Sequence, residues 1–531
     1  MTTTDIRAAI ESGDTALGIE FGSTRIKAVL IGPDHQPIAS GGFSWENKLV
    51  DGLWSYDLED VRKGLQTAYA DLVEDVRTKY DVTPTTYGSL GISAMMHGYL
   101  AFDAAGNQLV PFRTWRNTNT GPAAEELIKT FDFNIPLRWS IAHLHQCIID
   151  NDPHVVNLAS INTLAGWVHE ELTGRHVLGI GDASGMFPID STALDYDQAR
   201  VDAYDALVAD RGYSWKLRDL LPQVLPAGAD AGTLTAEGAA LLDPTGTLRP
   251  GIAMCPPEGD AGTGMVATNS VAQRSGNISC GTSVFLMVVL EKALERLHTE
   301  IDMVTTPDGS PVAMVHSNNG ASEIDAWVSM FVEFAKLAGI DMSVPQIYDA
   351  LYFNAMKGAA DGAGLLAYNT LSGEPLMGLE GGRPLFMHTP DADFTLANAF
   401  RVQLMSIFAS IRIGMDILAD EDVALDRLFG HGGLFKTEGV AQKVLADALD
   451  IPVSVGATAG EGGAWGIAVL ARFAVCGNEG ETLPQYLDSR VFADAEASVV
   501  EPDAGDHEGY NRFLERYRRA LPTVQSAADN S

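Results

Sequence analysis

Glu20-Phe21-Gly22-Ser23-Thr24-Arg25-Ile26-Lys27 and, far downstream, Gly276-Asn277-Ile278-Ser279-Cys280-Gly281-Thr282-Ser283 are the stretches that decide the fold. In each, an apolar run meets a glycine followed by small hydroxyl residues, and a second apolar run leaves it, Ile26 to Ile31 in the first case and Val284 to Leu290 in the second. The pattern predicts two β-hairpins with small polar tips. A phosphate needs donors that approach closely without intervening side chains, and glycine followed by serine or threonine supplies them. In the first tip, the amides and hydroxyls of Ser23 and Thr24 can donate, Lys27 adds positive charge on the face it shares with Arg25, and Glu20 can hold a magnesium-bound water. One such tip is equally well read as a turn that merely needs glycine; a second copy favours phosphate. Gly22 and Gly281 are too far apart for a solenoid repeat and suitably spaced for two similar lobes, each with one phosphate-facing hairpin.

Outward from the hairpins, strand-like runs alternate with helical patterns, as in an α/β fold. Apolar residues from Val61 to Val76 recur at helical spacing, predicting a helix over 59–80 that feeds a strand around Leu90 to Ser93. Proline and glycine cluster at Cys255-Pro256-Pro257-Glu258-Gly259-Asp260, so the lobe boundary is expected near residue 265. The division read from sequence is a first lobe over 1–265, a second over 266–490, and a terminal helix with an acidic, disordered polar tail over 491–531.

The chain has 531 residues, 46% hydrophobic, enough for two substantial cores. Lys plus Arg total 35 against 70 Asp plus Glu, a formal charge of −35, which disfavours nucleic acid and anionic membranes as partners. Cys147, Cys255, Cys280 and Cys476 are scattered, so neither a disulfide framework nor a zinc ribbon is indicated. With no signal-like N-terminus and no membrane-length apolar run, the expectation is a protein of the reducing cytoplasm.

Two hairpins and the motifs between them resemble the FGGY carbohydrate kinases of the actin/hexokinase/Hsp70 superfold, especially their xylulokinase-like branch, over roughly residues 16 to 475. Glu20 to Lys27 resembles the family's first phosphate hairpin, Ile92 to Gly98 its sugar-contacting Ser-Gly-Gln-Met-His-Gly segment, and Thr114 to Asn117 its Leu-Trp-Asn-Asp. Asp182-Ala183-Ser184-Gly185 matches a motif near the floor of the sugar lobe. Pro257 to Ala261 falls where the family has Gly-Gly-Gly-Asp-Asn, whose aspartate is the catalytic base. Cys280 to Ser283 resembles the second phosphate hairpin, Gly432-Gly433 with Lys436 the adenosine loop, and Glu461 to Ala468 the last adenine-side segment. Glu20 replaces an aspartate, Met95 a glutamine, Arg116 and Asn117 an Asn-Asp pair, and Ala261 an asparagine; these departures leave the kinase reading intact and the sugar open.

The resemblance implies an α/β protein of two similar lobes of the actin-like ATPase (ribonuclease H-like) fold, with the active site in the cleft between them. It implies an ATP-dependent kinase, with Mg²⁺, for the terminal hydroxyl of a ketopentose, D-xylulose first and ribulose, another ketose or a polyol as alternatives. Asp260 is the expected catalytic carboxylate and also contacts the sugar with Met96, His97 and Trp115. The nucleotide falls to Gly22, Ser23, Thr24, Lys27, Gly281, Thr282, Ser283, Gly432, Gly433 and Lys436, and the metal to Glu20. Expected partners are ATP and a small sugar, with a homodimer admitted. A structural histidine is the plain alternative for His97, core packing for Trp115, and a cap or turn former for Asp260. His143 and His145 suggest a metal pair, but no third ligand stands at zinc-like spacing. An actin- or Hsp70-like switch lacks its expected extra domain, and a silent sugar sensor its DNA-binding module.

Overall fold

The structure, a computed structural model, is described over residues 1–456 and 462–530. The chain forms two compact units. In the first, the strands run in the order Ala253–Met254, Ser89–Ala94, Ala16–Phe21, Arg25–Ile31, Pro37–Ser44, with Glu258–Gly259 also pairing with Ser89–Ala94. Ala16–Phe21 is antiparallel to Arg25–Ile31 and parallel to Ser89–Ala94, which in turn is parallel to Glu258–Gly259. The carboxyl ends of three parallel strands therefore meet at one sheet edge, where open α/β sheets bind ligands. Helix Leu58–Tyr80 begins at Asp57, whose side chain accepts the Glu59 amide, and buries Val61, Leu65, Leu72 and Val76, which carries the expected 3.6-residue period.

The unit is completed from far along the chain by residues 302–312 and 462–495, so the observed division is interleaved where the sequence predicted consecutive blocks at 1–265, 266–490 and 491–531. Helix Gly462–Cys476 is the reason. It is apolar all round, buries Ala464 through Phe473 almost without interruption, and must be enclosed. It lies so close to the sheet that a Cβ at Gly18 would overlap the Ala464 carbonyl and one at Gly91 would stand 2.7 Å from Ile467 Cγ1. Trp465 Nε1 donates to the His35 carbonyl at 2.8 Å, and Arg472 pairs with Asp14 at 2.9 Å.

The second unit repeats the scheme. Ser275–Cys280 is antiparallel to Val284–Val289 and parallel to Arg427–His431, followed by Val453–Gly456 in parallel and Ala497–Val500 antiparallel. A hairpin beside a parallel strand thus occurs twice, in agreement with the duplication read from the sequence. The C-terminal tail is a correction: helix Ala504–Asp529 runs on through Pro522 where disorder was expected. Tyr510, Phe513, Leu514, Tyr517 and Val524 are buried along it, Tyr510 Oη donates to the Met405 carbonyl and Tyr368 Oη to the Tyr517 carbonyl. Burial of these side chains outweighs the polar composition between them. Among the described residues no single helix is long and apolar enough to cross a membrane.

Candidate active site

Asp260 opens helix Asp260–Ala267 directly after the strand Glu258–Gly259. Its Oδ1 accepts the Met96 amide at 3.0 Å, fastening it to the segment that follows Ser89–Ala94. The side chain is exposed, yet the surrounding protein pushes its carboxyl above the usual aspartate range, with the Met96 and Ala261 amides acting the other way. Exposure and those N–H donors both favour the ionised form, so we read Asp260 as an accessible carboxylate. Glu20, at the end of Ala16–Phe21, pairs across the hairpin with Lys27 and in parallel register with Ser93. Its Oε2 accepts the Ala464 amide at 3.2 Å. Burial and then the neighbouring Asp260 carboxylate push Glu20 up to about 7, against the Ala464 hydrogen bond and Lys27. A Cβ at Gly463 would strike Glu20 and lie 2.7 Å from Thr263 Oγ1, which bridges to Ser93 Oγ at 3.1 Å.

Two buried carboxyls stand behind Asp260. Glu258 accepts the Gly181 amide at 3.2 Å and the Asp182 amide at 2.9 Å, while Asp182 Oδ2 accepts Thr163 Oγ1 at 2.7 Å and its Oδ1 has no partner. Burial, reinforced by Asp182, pushes Glu258 up to about 8; burial, reinforced by Asp260, pushes Asp182 up to about 7. The sequence reading quoted both residues within motifs and gave neither a role. Glu258 lies 77 and 76 residues from the two amides it accepts, a separation that no local pattern reveals.

His97 is buried, with φ of 69°, in the left-handed region that a non-glycine residue enters at a cost, and Gly98 follows at 109°. Its Nδ1 lies 3.2 Å from the Gly185 carbonyl; a carbonyl only accepts, so Nδ1 carries the proton. Burial and then the Arg138 charge hold His97 well below the usual histidine range, leaving Nε2 as an acceptor. Met96 is buried against the same segment. His97 stacks on Trp139, and helix Ser140–Ile149 is pinned by Ser140 Oγ donating to the Gly98 carbonyl. Trp139 Nε1, at the N-cap of that helix, and both ring nitrogens of the fully buried His143 within it have no protein partner; their sequence context gave no signal beyond the His143/His145 pair, and His145 is occupied by Glu126. Trp115, 39% exposed, lies on a loop held by Asn117, whose side chain exchanges two 2.8 Å hydrogen bonds with the Trp54 backbone; Arg116 stacks over the Trp54 ring. A second polar cluster, Cys147, Asp152 and His154, has metal-like spacing, but the Arg113 guanidinium occupies it, donating to Cys147 Sγ and Asp152 Oδ2.

The two hairpin tips share one electrical arrangement. At the first, Gly22, Ser23 and Thr24 carbonyls accept from Trp45 Nε1 at 2.7 Å, Tyr56 Oη at 2.6 Å and the Trp45 amide at 3.1 Å, with Trp45 and Tyr56 stacked beneath. At the second, Gly281 and Thr282 carbonyls accept the Ala321 amide at 2.9 Å and the Gly320 amide at 2.7 Å. With their acceptors occupied, both tips present N–H and hydroxyl groups. Neither Gly22 nor Gly281 has a positive φ, so the turns do not demand glycine, and a Cβ at Gly281 would meet nothing nearer than 4.0 Å. Ser283 completes that tip. Beside it, Gly432 has φ of 107° and its Cβ position is filled by the Cys280 carbonyl; Gly433 opens the turn Gly433–Lys436, over open space, and Lys436 is exposed. Within the first unit the structure therefore groups Glu20, Met96, His97 and Asp260 around the sheet edge, and within the second it groups Gly281 to Ser283 with Gly432 and Gly433. Glu461 lies outside the described residues.

The fold is that of the two-domain, actin-like ATPase class. Residues 15–247 match the N-terminal domain, and residues 276–475 the C-terminal domain, of the FGGY family of carbohydrate kinases, and the chain belongs to that family. Among solved structures, a xylulose kinase from Rhodospirillum rubrum superposes with a TM-score of 0.78 at 18% identity, covering 97% of this chain and 100% of the other. A gluconate kinase from Lactobacillus acidophilus reaches 0.77 at 15%, covering 97% and 99%. Plasmodium falciparum glycerol kinase with ADP reaches 0.75 at 16%, covering 96% and 98%. No curated protein matches the sequence.

Proposed function

We propose that this chain transfers the γ-phosphoryl group of ATP to the terminal primary hydroxyl of a ketopentose, D-xylulose first, with ribulose, another ketose or a polyol as the alternative acceptor. The observation that carries the reading is Asp260: an accessible carboxylate, fixed by the Met96 amide, at the carboxyl edge of a parallel sheet and electrostatically coupled to Glu20. The Asp260 carboxylate takes the proton of the attacking hydroxyl as that oxygen bonds to phosphorus and the ADP oxygen leaves. Ser23, Thr24, Thr282 and Ser283, in turns closed by the Gly22 and Gly281 amides donating to the Arg25 and Ser283 carbonyls, hold the phosphate oxygens together with Lys27; Gly432, Gly433 and Lys436 line the adenosine side.

Met96, neutral His97 and Trp115 hold the sugar. Glu20 would hold Mg²⁺: a hard-oxygen ligand whose repulsion from the neighbouring Asp260 carboxylate a dication relieves. Bound there, the ion would neutralise phosphate charge. The neighbours named for xylulose, gluconate and glycerol span acceptors that differ in length and charge, so the deciding experiment is ADP release measured with and without a panel of ketoses, polyols and sugar acids. Turnover that requires a ketopentose supports the reading; turnover independent of any sugar overturns it in favour of a nucleotide switch.

A further inference from the structure

Glu374 is completely buried in the second unit. Its backbone is fixed by a reciprocal pair, its amide donating to the Leu379 carbonyl at 2.8 Å and its carbonyl accepting the Leu379 amide at 3.1 Å. Three donors converge on one side-chain oxygen: Ser317 Oγ at 2.8 Å, the Asn318 amide at 3.0 Å and Asn319 Nδ2 at 3.0 Å. Burial pushes the carboxyl above the usual glutamate range, and these donors act against it. So many donors on one oxygen suit a carboxylate, which only accepts. Asn319 is held from its other side, its Oδ1 accepting the Leu371 amide at 2.8 Å and the Ser372 amide at 3.0 Å. Asn369 Nδ2 donates to the Asn319 and Gly320 carbonyls at 2.9 and 3.0 Å. Side chains and backbone of the segment from Ser317 to Gly320 are thus fastened to buried polar groups, and such networks rigidify what they hold.

The far end of that segment bears on the second hairpin tip. The Gly320 amide donates to the Thr282 carbonyl and the Ala321 amide to the Gly281 carbonyl, and the approach is so close that a Cβ at Gly320 would stand 2.3 Å from the Gly281 oxygen. The carbonyl and the N–H of one trans peptide unit point in opposite directions. Holding the Gly281 carbonyl therefore aims the Thr282 N–H, and holding the Thr282 carbonyl aims the Ser283 N–H, both away from the 320–321 backbone. We infer that Glu374 is the positioning residue of this tip: by gathering Ser317, Asn318 and Asn319 onto one oxygen it fixes the backbone that orients the two N–H groups offered to nucleotide phosphate. The inference rests on the phosphate reading of the hairpin given above and assigns the source of the tip's geometry to a residue that lies 92 to 93 positions further along the chain than Thr282 and Gly281.

Glu374→Gln keeps the shape and one acceptor oxygen while exchanging the charge for an amide nitrogen that only donates. On the full chain, the KM for ATP should rise by about 10-fold or more, the scale of one misaligned hydrogen bond to a charged group, with the KM for the sugar near wild type. Binding of a non-hydrolysable ATP analogue should weaken by the same factor, and binding of adenosine, which lacks phosphate, should stay unchanged. A merely structural role would lower the melting temperature and weaken both ligands alike. Gly320→Ala pushes directly on the Gly281 carbonyl and leaves the carboxylate untouched, so it should give the same split and decides the matter if Glu374→Gln fails to fold. Equal losses for adenosine and the ATP analogue, or wild-type affinity for the analogue in either folded variant, overturn the inference. Gly281→Val serves as the control: if it also binds the analogue normally, the hairpin reading falls and this inference with it; if it alone loses the analogue, the hairpin stands and only the role of Glu374 is overturned.

Discussion

Asp260 accepts the Met96 amide through one oxygen, which gives its amide replacement a defined meaning. In Asp260→Asn the side-chain carbonyl can still accept that N–H, so the Met96–Gly98 segment stays in place while the proton acceptor is lost. The expected result is a fall of about 10²–10⁴ in kcat, with melting temperature and ATP-analogue binding near wild type. A well-folded variant keeping more than about a tenth of the wild-type kcat falls outside that range and removes Asp260 from the base role. Glu20, pushed up to about 7 by burial and by Asp260, yields a second test. Only its ionised form binds a cation well, so the Mg²⁺ concentration for half-maximal turnover should rise by up to about 10-fold as pH falls through two units around 7, and Glu20→Gln should flatten that dependence. A wild-type Mg²⁺ requirement that ignores pH would exclude Glu20 as a ligand. Asp260 was legible because its motif kept its order among others; Glu258 and Asp182 were not, because what raises them is burial against groups distant in sequence.

Glycines that look alike in sequence divide sharply by element. Gly18 lies under helix Gly462–Cys476, where even one carbon would overlap the Ala464 backbone, whereas the space over Gly281 is open. Gly18→Ala should therefore lose about 1–3 kcal/mol or more in denaturant unfolding, the usual scale of overpacking. Gly281→Ala should unfold like wild type. Gly281→Val, in turn, should raise the KM for ATP or abolish activity, because a branched side chain fills the space over the tip; normal ATP kinetics in the folded variant would take that hairpin out of the nucleotide site. Both hairpins were legible because their paired strands are adjacent in sequence and their tips carry local turn chemistry. The placement of helix Gly462–Cys476 was not, since an all-apolar helix announces that it is enclosed without naming what encloses it. The terminal helix was misjudged for a related reason: its buried Tyr510, Phe513, Tyr517 and Val524 are diluted by charged residues in any composition window.

Across the whole molecule, the buried carboxyls link pH to stability. Glu258 is held near 8 in the folded chain, above the ordinary glutamate value. The folded state thus binds this proton more tightly than the unfolded one, so its contribution is fully present below the ordinary value and is lost as pH rises through about 8. The ligand-free protein should melt at progressively lower temperature between mildly acidic and mildly alkaline pH, and Glu258→Gln should reduce that slope while lowering the melting temperature at the acidic end. A wild-type melting temperature that climbs over this interval would show that Glu258 is ionised throughout. The interleaving of the units has a consequence for synthesis. The strand Ala16–Phe21 leaves the ribosome early, but the helix that covers it begins at Gly462. At about 5–20 residues per second the apolar sheet waits on the order of half a minute or more for its cover. During that interval a nascent chain already holding both hairpins exposes the face around Gly18 and Gly91, so the stage most vulnerable to aggregation, and most dependent on chaperones, comes when the protein is almost fully translated.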